Sequence, residues 1–294
     1  MKLVTYSYDG TESAGVLSLD GKHVCPAKAL GYGCENMNEW IDLLAKEGLS
    51  RLLAAVEAGC EERIPLEQVT LLAPIPRPRQ DMICLGINYM AHAEESARYK
   101  NEAFGGERPY AVYFSKRVGE AVRPEGRIDG HFDMVERLDY EAELAVVIGK
   151  DARGVSEEEA ADYILGYTIV NDVSARVLQT RHKQWYFGKS LDGFTPMGPW
   201  IVTADEFSFP PKLSIQSRVN GQLRQDSNTE LLIFGIPHII RELSRGITLK
   251  AGTLIATGTP AGVGMGFTPP RFLKSGDTVE CSIEGIGTLK NTVG

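Results

Sequence analysis

The chain has 294 residues, 43% hydrophobic and 24% charged, enough for one large domain or two ordinary ones. A formal net charge of −8 argues against a nucleic-acid surface, and no run of about 18 apolar residues offers a membrane span. The opening MKLVTYSYDGTES has no apolar signal segment. Cys25, Cys34, Cys60, Cys84 and Cys281 form no C-x-x-C pair, so reduced, cytoplasmic thiols are expected.

Residues 1–70 read as a small α+β unit. KLVTYSY, AGVLSLDG and KHVCPA are strand candidates joined by the turn signals Asp9-Gly10 and Asp20-Gly21. Two helices follow, with Trp40, Leu43 and Leu44, then Leu52, Leu53 and Val56, at helical spacing. Asn38 and Ser50 are the expected N-caps, Gly48 and Gly59 the expected stops. Alternating Pro74, Pro76 and Pro78 make 71–80 a stiff, extended linker.

From Asp81 to Gly294 strands predominate: DMICLGINY, YAVYFSK, YEAELAVVIGK, LGYTIVNDVS, PWIVTADEF, LSIQSRVNG, GTLIATGTP and DTVECSIEGIGTLKN. Helices are expected at 90–100, after Ser156 (a capping box with Glu159) and at 235–245. This pattern is a predominantly β sandwich or barrel-like core, not a doubly wound sheet.

In DYEAELAVVIGK, Glu141 and Glu143 share one strand face about 7 Å apart. Two readings compete: acids on the wet side of a half-exposed strand, or a pair of cation ligands. Ala145 and Val147 continue the same face as apolar residues, and acids at one end of a mostly buried strand need a partner. Asp172 closes the GYTIVND strand, and three carboxylates suit Mg²⁺ or Mn²⁺ and not zinc.

In GINYMAHAEES, His92 and Glu95 are helix neighbours at i, i+3, a dyad able to take a proton. Glu94 faces about 100° away from Glu95. The polar SARYKNEAFGGERP that follows reads as a mobile lid or an ordinary loop. Lys189, in WYFGKSLDGFTPMGPW, is either a fixed positive charge beside a developing oxyanion or a snorkelling surface lysine. The IATGTPAGVGMGF loop is neither a P-loop nor a dinucleotide fingerprint, yet it offers N–H groups and the Thr259 hydroxyl to a carboxylate. The basic run TRHKQ (180–184) reads as solvated or at an interface.

GINYMAHAEES, DYEAELAVVIGK, GYTIVNDVSARVLQ, FGKSLDGFTPMGPW and ATGTPAGVG occur in the order and spacing of the fumarylacetoacetate hydrolase family, which the chain resembles over about 80–294. Residues 1–70 and GTPAGVGMGFTPPRFLKSGD are similar to a bacterial subgroup that includes oxaloacetate decarboxylases. The resemblance implies a mixed β-sandwich roll and a homodimer. It implies Glu141, Glu143 and Asp172 as ligands of Mg²⁺ or Mn²⁺, a lid-borne His92–Glu95 dyad and an active-site Lys189. Arg176, Gln179 and Thr259 match positions that contact the bound oxo acid. Lys116, implied as a further substrate-binding residue, matches a lysine usually followed by Pro or a small residue, where Arg117 and Val118 stand here.

The implied reaction is metal-dependent C–C cleavage of a small 2-oxo acid through a pyruvate enolate held by the metal and Lys189. Hydrolysis of the acylpyruvate or fumarylpyruvate type comes first. The alternatives are oxaloacetate decarboxylation, isomerisation or tautomerisation of an enol acid such as 2-hydroxyhepta-2,4-diene-1,7-dioate, and oxo-acid binding without catalysis.

Overall fold

Residues 1–106 and 109–294 are described by a computed structural model. The chain opens as an antiparallel meander of β1 (Lys2–Tyr8), β2 (Thr11–Leu17) and β3 (His23–Pro26). Asp9 and Gly10 both have positive φ, 48° and 76°, the hairpin turn that matches strand twist. Then come α1 (Met37–Glu47) and α2 (Leu49–Glu57). The cap of α1 is Asn36, not Asn38: its side chain accepts the Glu39 N–H at 3.0 Å. Ser50 lies inside α2, which starts behind Gly48 without a side-chain cap.

β4 (Ile64–Pro65) and β5 (Thr70–Leu71) return to pair with β3 and β1. The proline-rich stretch beyond them packs on the sheet. Ala73 and Ile75 are buried, and the Thr5 hydroxyl donates to the Pro74 carbonyl at 2.7 Å.

β6 (Met82–Gly86), α3 (Met90–Lys100) and β7 (Val112–Lys116) lead into β8 (Arg127–Ile128), β9 (Leu138–Asp139) and β10 (Ala142–Ile148). β11 (Ile164–Asn171), β12 (Ser174–Ala175), α4 (Arg176–Arg181), α5 (Tyr186–Lys189) and β13 (Met197–Thr203) follow. The chain ends with β14 (Ser214–Val219), β15 (Gln222–Asn228), α6 (Ile236–Gly246), β16 (Leu254–Ala256), β17 (Thr278–Ile283) and β18 (Gly287–Val293).

Among the described residues, one eleven-stranded sheet runs β4-β3-β2-β1-β13-β11-β10-β16-β6-β7, with β5 beside β1. A second, five-stranded sheet runs β15-β14-β17-β18-β8. Only the β16–β6 and β18–β8 pairs are parallel, so the sheets are mixed. β1 pairs with β13, Lys2 opposite Val202, and carries the first strands into the main sheet.

β10 lies deep in this sheet and is buried on both faces. Leu144, Val146 and Ile148 pack toward the second sheet and α6, and Ala145 and Val147 toward α1 and α2. Each such side chain contributes about 1.5–3 kcal/mol by leaving water, which fixes the register and aims the two glutamates at one end of the strand.

Two local expectations are corrected. The Ser156–Glu159 box forms both reciprocal bonds, at 3.1 and 3.3 Å, but only a 3-10 turn at Ala160–Tyr163 follows. Buried β11 begins at Ile164, so sheet pairing outcompetes a longer helix there. Cys25 and Cys60 form a disulfide, where reduced thiols were expected. They are 35 residues apart, and β3 and the segment after α2 bring their Cα atoms to 6.2 Å. Cys34, Cys84 and Cys281 are free and buried. No helix of the described residues is long and apolar enough to cross a membrane.

Candidate active site

The carboxylates meet because β10 and β11 pair antiparallel, with Ala142 opposite Asn171. Just before β10, the Glu141 N–H donates to the Asn171 side chain at 2.9 Å, and its carbonyl accepts the Asp172 N–H at 2.8 Å. Glu141, Glu143 and Asp172 thus each present an oxygen within 4.8 Å of the others. They are 5%, 1% and 0% exposed, which removes the wet-strand reading of the glutamates.

Three cations face them. The Lys189 ammonium lies 2.6 Å from both Glu141 Oε2 and Asp172 Oδ2. Lys116 donates to Asp172 Oδ1 at 2.6 Å and to the Val173 carbonyl at 3.2 Å. Arg176 reaches Glu141 Oε1 through Nη1 at 2.6 Å and Asp139 Oδ2 through Nε at 2.9 Å, leaving a buried Nη2 without a partner. Lys116 and Lys189 are both buried, so neither is a snorkelling surface lysine.

Burial alone would raise the Glu141 carboxyl, but Lys189 and Arg176 outweigh it and hold the group well below the usual carboxylate range. Burial, then the like charges of Asp172 and Glu141, push Glu143 well above that range, although its Oε2 accepts the Gly258 N–H at 2.8 Å. The donor set suits a hard divalent cation: three convergent, buried carboxylates with no sulfur or imidazole in the cluster.

His92 and Glu95 project from α3 into the same cleft. His92 Nδ1 lies 3.0 Å from Glu95 Oε2, and Glu95 Oε1 accepts the Gly262 N–H at 3.0 Å. Both side chains are buried, whereas Glu94 is exposed. With Nδ1 engaged, Nε2 is the nitrogen free to move a proton. Glu95 also rests on Gly266, where any Cβ would overlap its carboxylate. The polar stretch after α3 is exposed through Gly106; Glu107 and Arg108 of the expected lid lie outside the described residues.

Gln179 and Thr259 also line the cleft. Gln179 accepts from Arg176 Nη1 at 3.2 Å. The Thr259 hydroxyl donates to the Ala142 carbonyl at 2.9 Å and accepts from Gln225 Nε2 at 2.7 Å, so it already ties the glycine-rich loop to β10. Arg181–Gln184 of the basic run are exposed.

Two supporting residues escape the sequence reading. Asp139, fully buried, accepts the Tyr140, Gly264 and Met265 N–H groups as well as Arg176 Nε. Gln225, also fully buried, accepts the Ala142 N–H and donates to Thr259 and the Pro260 carbonyl. Asp139 stands only two residues from Glu141 in a run of acids, and Gln225 carries no local signal at all.

This fold and this cluster place the chain in the fumarylacetoacetate hydrolase family: residues 81–294 match its fumarylacetoacetate (FAA) hydrolase C-terminal region. The oxaloacetate tautomerase YisK of Bacillus subtilis is 48% identical over 229 residues, 78% of this chain and 74% of that protein. Among solved structures, the fumarylacetoacetate hydrolase EaFAH of psychrophilic Exiguobacterium antarcticum has 40% identity and a TM-score of 0.83, covering 100% of this chain and 99% of that one. Maleylpyruvate hydrolase of Sphingobium sp. SYK-6, in complex with manganese (II) ion and pyruvate, has 30% identity and a TM-score of 0.77, covering 100% and 98%.

Proposed function

We propose that this protein is a divalent-cation-dependent tautomerase of a small 2-oxo diacid of the oxaloacetate class, moving a proton between the enol oxygen and C3. The observation that carries the reading is that His92, braced by Glu95, and Glu141 and Glu143 of the three-carboxylate cluster line one cleft. The likeness to the Bacillus tautomerase favours tautomerisation over hydrolysis, which the family resemblance ranked first.

Glu141, Glu143 and Asp172 would hold Mg²⁺ or Mn²⁺, which would supply Lewis-acid polarisation of a 2-oxo group and so acidify the C3 hydrogens. His92 Nε2 moves the proton, while Glu95 fixes the tautomer from Nδ1 and stabilises the imidazolium between the two transfers. Lys189 places its ammonium beside the charge that develops on the substrate oxygen. Lys116 holds Asp172 in position. The free Nη2 of Arg176 takes the second carboxylate, with Gln179 bracing the guanidinium and Thr259 holding the loop at the cleft edge.

A second reading, hydrolytic cleavage of an acylpyruvate, is favoured by the likeness to the maleylpyruvate hydrolase; His92 would then draw the proton from water. Proton NMR of the products separates the two. Tautomerisation leaves the four-carbon skeleton of oxaloacetate intact while the enol disappears. Protein-dependent pyruvate from an acylpyruvate, with no effect on enol-oxaloacetate, contradicts the first reading in favour of the second.

A homodimer belongs to the same reading. β7 ends the main sheet with Val112 and the preceding Tyr110 exposed, and α5, which packs beside it, exposes Tyr186 and Phe187. Light scattering is expected to return twice the chain mass; the single-chain mass contradicts it.

A further inference from the structure

Beside its charged groups the cleft has an apolar wall of Leu85, Gly86, Ile87, Phe114 and Trp185. The backbone of this wall is fixed. Ile87 sits at φ 55°, a left-handed conformation that costs a β-branched residue dearly. The next residue locks it: Asn88 donates to the Phe234 and Thr257 carbonyls at 3.0 and 2.9 Å and accepts the Phe234 N–H at 2.8 Å.

Trp185 is the adjustable part of that wall. Its ring presses on Gly86 so closely that any Cβ there would overlap the indole. It meets Phe114 edge-on with ring centres 5.2 Å apart, and the Lys189 ammonium lies 5.4 Å from the Phe114 centre. The indole therefore stands one aromatic ring away from the ammonium that binds Glu141 and Asp172. The whole cleft encloses about 50 Å³, room for about four waters. Trp185 comes from the α4–α5 connection, beside exposed residues 181–184, so its side chain is replaceable without opening the main core.

We propose that Trp185 sets the chain length the cleft accepts, admitting a four-carbon 2-oxo acid and excluding acids with a longer arm. This inference rests on reading the site as one for 2-oxo acids. The carboxylate and 2-oxo group at the head of such an acid belong at the charged end, and an alkyl arm, which has no second carboxylate for Arg176 to hold, runs toward the apolar wall. The indole fills the space above Gly86 that those carbons need.

The test is binding, read without turnover. Calorimetry in the presence of Mn²⁺ compares 2-oxobutanoate, 2-oxohexanoate and 2-oxooctanoate on the wild type, Trp185→Phe and Trp185→Ala. Wild-type affinity is expected to fall at least about tenfold from four to six carbons, the scale at which apolar pockets discriminate chain length. Trp185→Ala is expected to shift the six-to-four ratio at least about tenfold toward the longer acid, with Trp185→Phe between. A ratio unchanged in a folded Trp185→Ala overturns the inference. If that variant does not fold, an unchanged ratio in Trp185→Phe overturns it. Binding of none of the three acids to the wild type overturns the reading of the site and the inference with it. Equal ratios across all three proteins strike Trp185 alone.

Discussion

Glu143 carries the electrostatic conflict of the cleft. Glu95, Asp139, Glu141, Glu143 and Asp172 are five buried carboxylates against Lys116, Arg176 and Lys189, three buried cations. Glu141 and Asp172 make direct ion pairs, while Glu143 has only a backbone N–H and two like charges nearby. Burial and those like charges raise its carboxyl well above the usual carboxylate range, so it holds a proton more tightly than its neighbours do. Cation binding requires the anion, so the proton must leave. Affinity for Mn²⁺ is therefore expected to rise with pH over the range in which Glu143 loses its proton, by about tenfold per unit where one proton is released, and to fall on acidification. Calorimetry in two buffers of different ionisation enthalpy counts the proton. Glu143→Gln is expected to abolish its release and weaken binding, whereas proton-free, pH-independent binding contradicts this account of Glu143. The acids of this cluster are legible in sequence because strand period and residue type point the same way. Asp139 and Gln225 are not, since their partners lie tens of residues away at Gly264, Ala142 and Thr259.

At the level of elements, the site depends on where α3 sits. The helix is a weak one by sequence: it has no side-chain cap and exposes Met90 and Glu94. Its position is fixed from outside, by Glu95 on the Gly262 N–H and by the lack of any side chain at Gly266. The glycine-rich loop is thus a seat for the dyad, held in turn by Asp139 through Gly264 and Met265. A methyl group at 266 displaces Glu95 without touching the main core. Gly266→Ala is expected to lower kcat by about 10²-fold, the scale of losing a positioned acid–base group, with a melting temperature within a few degrees of wild type. Wild-type turnover in this variant contradicts the role of the seat. The helix and its His92–Glu95 pair are readable from spacing, but the loop read alone is only a glycine turn. Ser156 teaches the converse: the capping box forms as written, and the fully buried β11 still takes the chain after one turn.

Over the whole molecule, composition and turn signals reveal the small α+β beginning but not its attachment. β1 meets β13 across some two hundred residues, and pairing at that distance leaves no local trace. Leu3, Val16, Trp40 and Ile41 share one apolar cluster with Ala145, Val147 and Leu254, so the first strands and helices cover one face of β10 and β16. A fragment of residues 81–294 leaves that face and the β13 edge bare. It is expected to aggregate or to melt without cooperativity by circular dichroism. A fragment that melts cooperatively within a few degrees of the full chain contradicts this dependence.

The central claim is a proton transfer that needs both the carboxylate cluster and His92. Its most direct measurement is the ultraviolet decay of enol-oxaloacetate with Mg²⁺ or Mn²⁺ present. The expected result is acceleration by the wild type, lost on chelation, reduced about 10²–10⁴-fold in His92→Ala, and unaccompanied by pyruvate. A wild-type rate equal to the uncatalysed decay, or an undiminished rate in His92→Ala or after chelation, contradicts it.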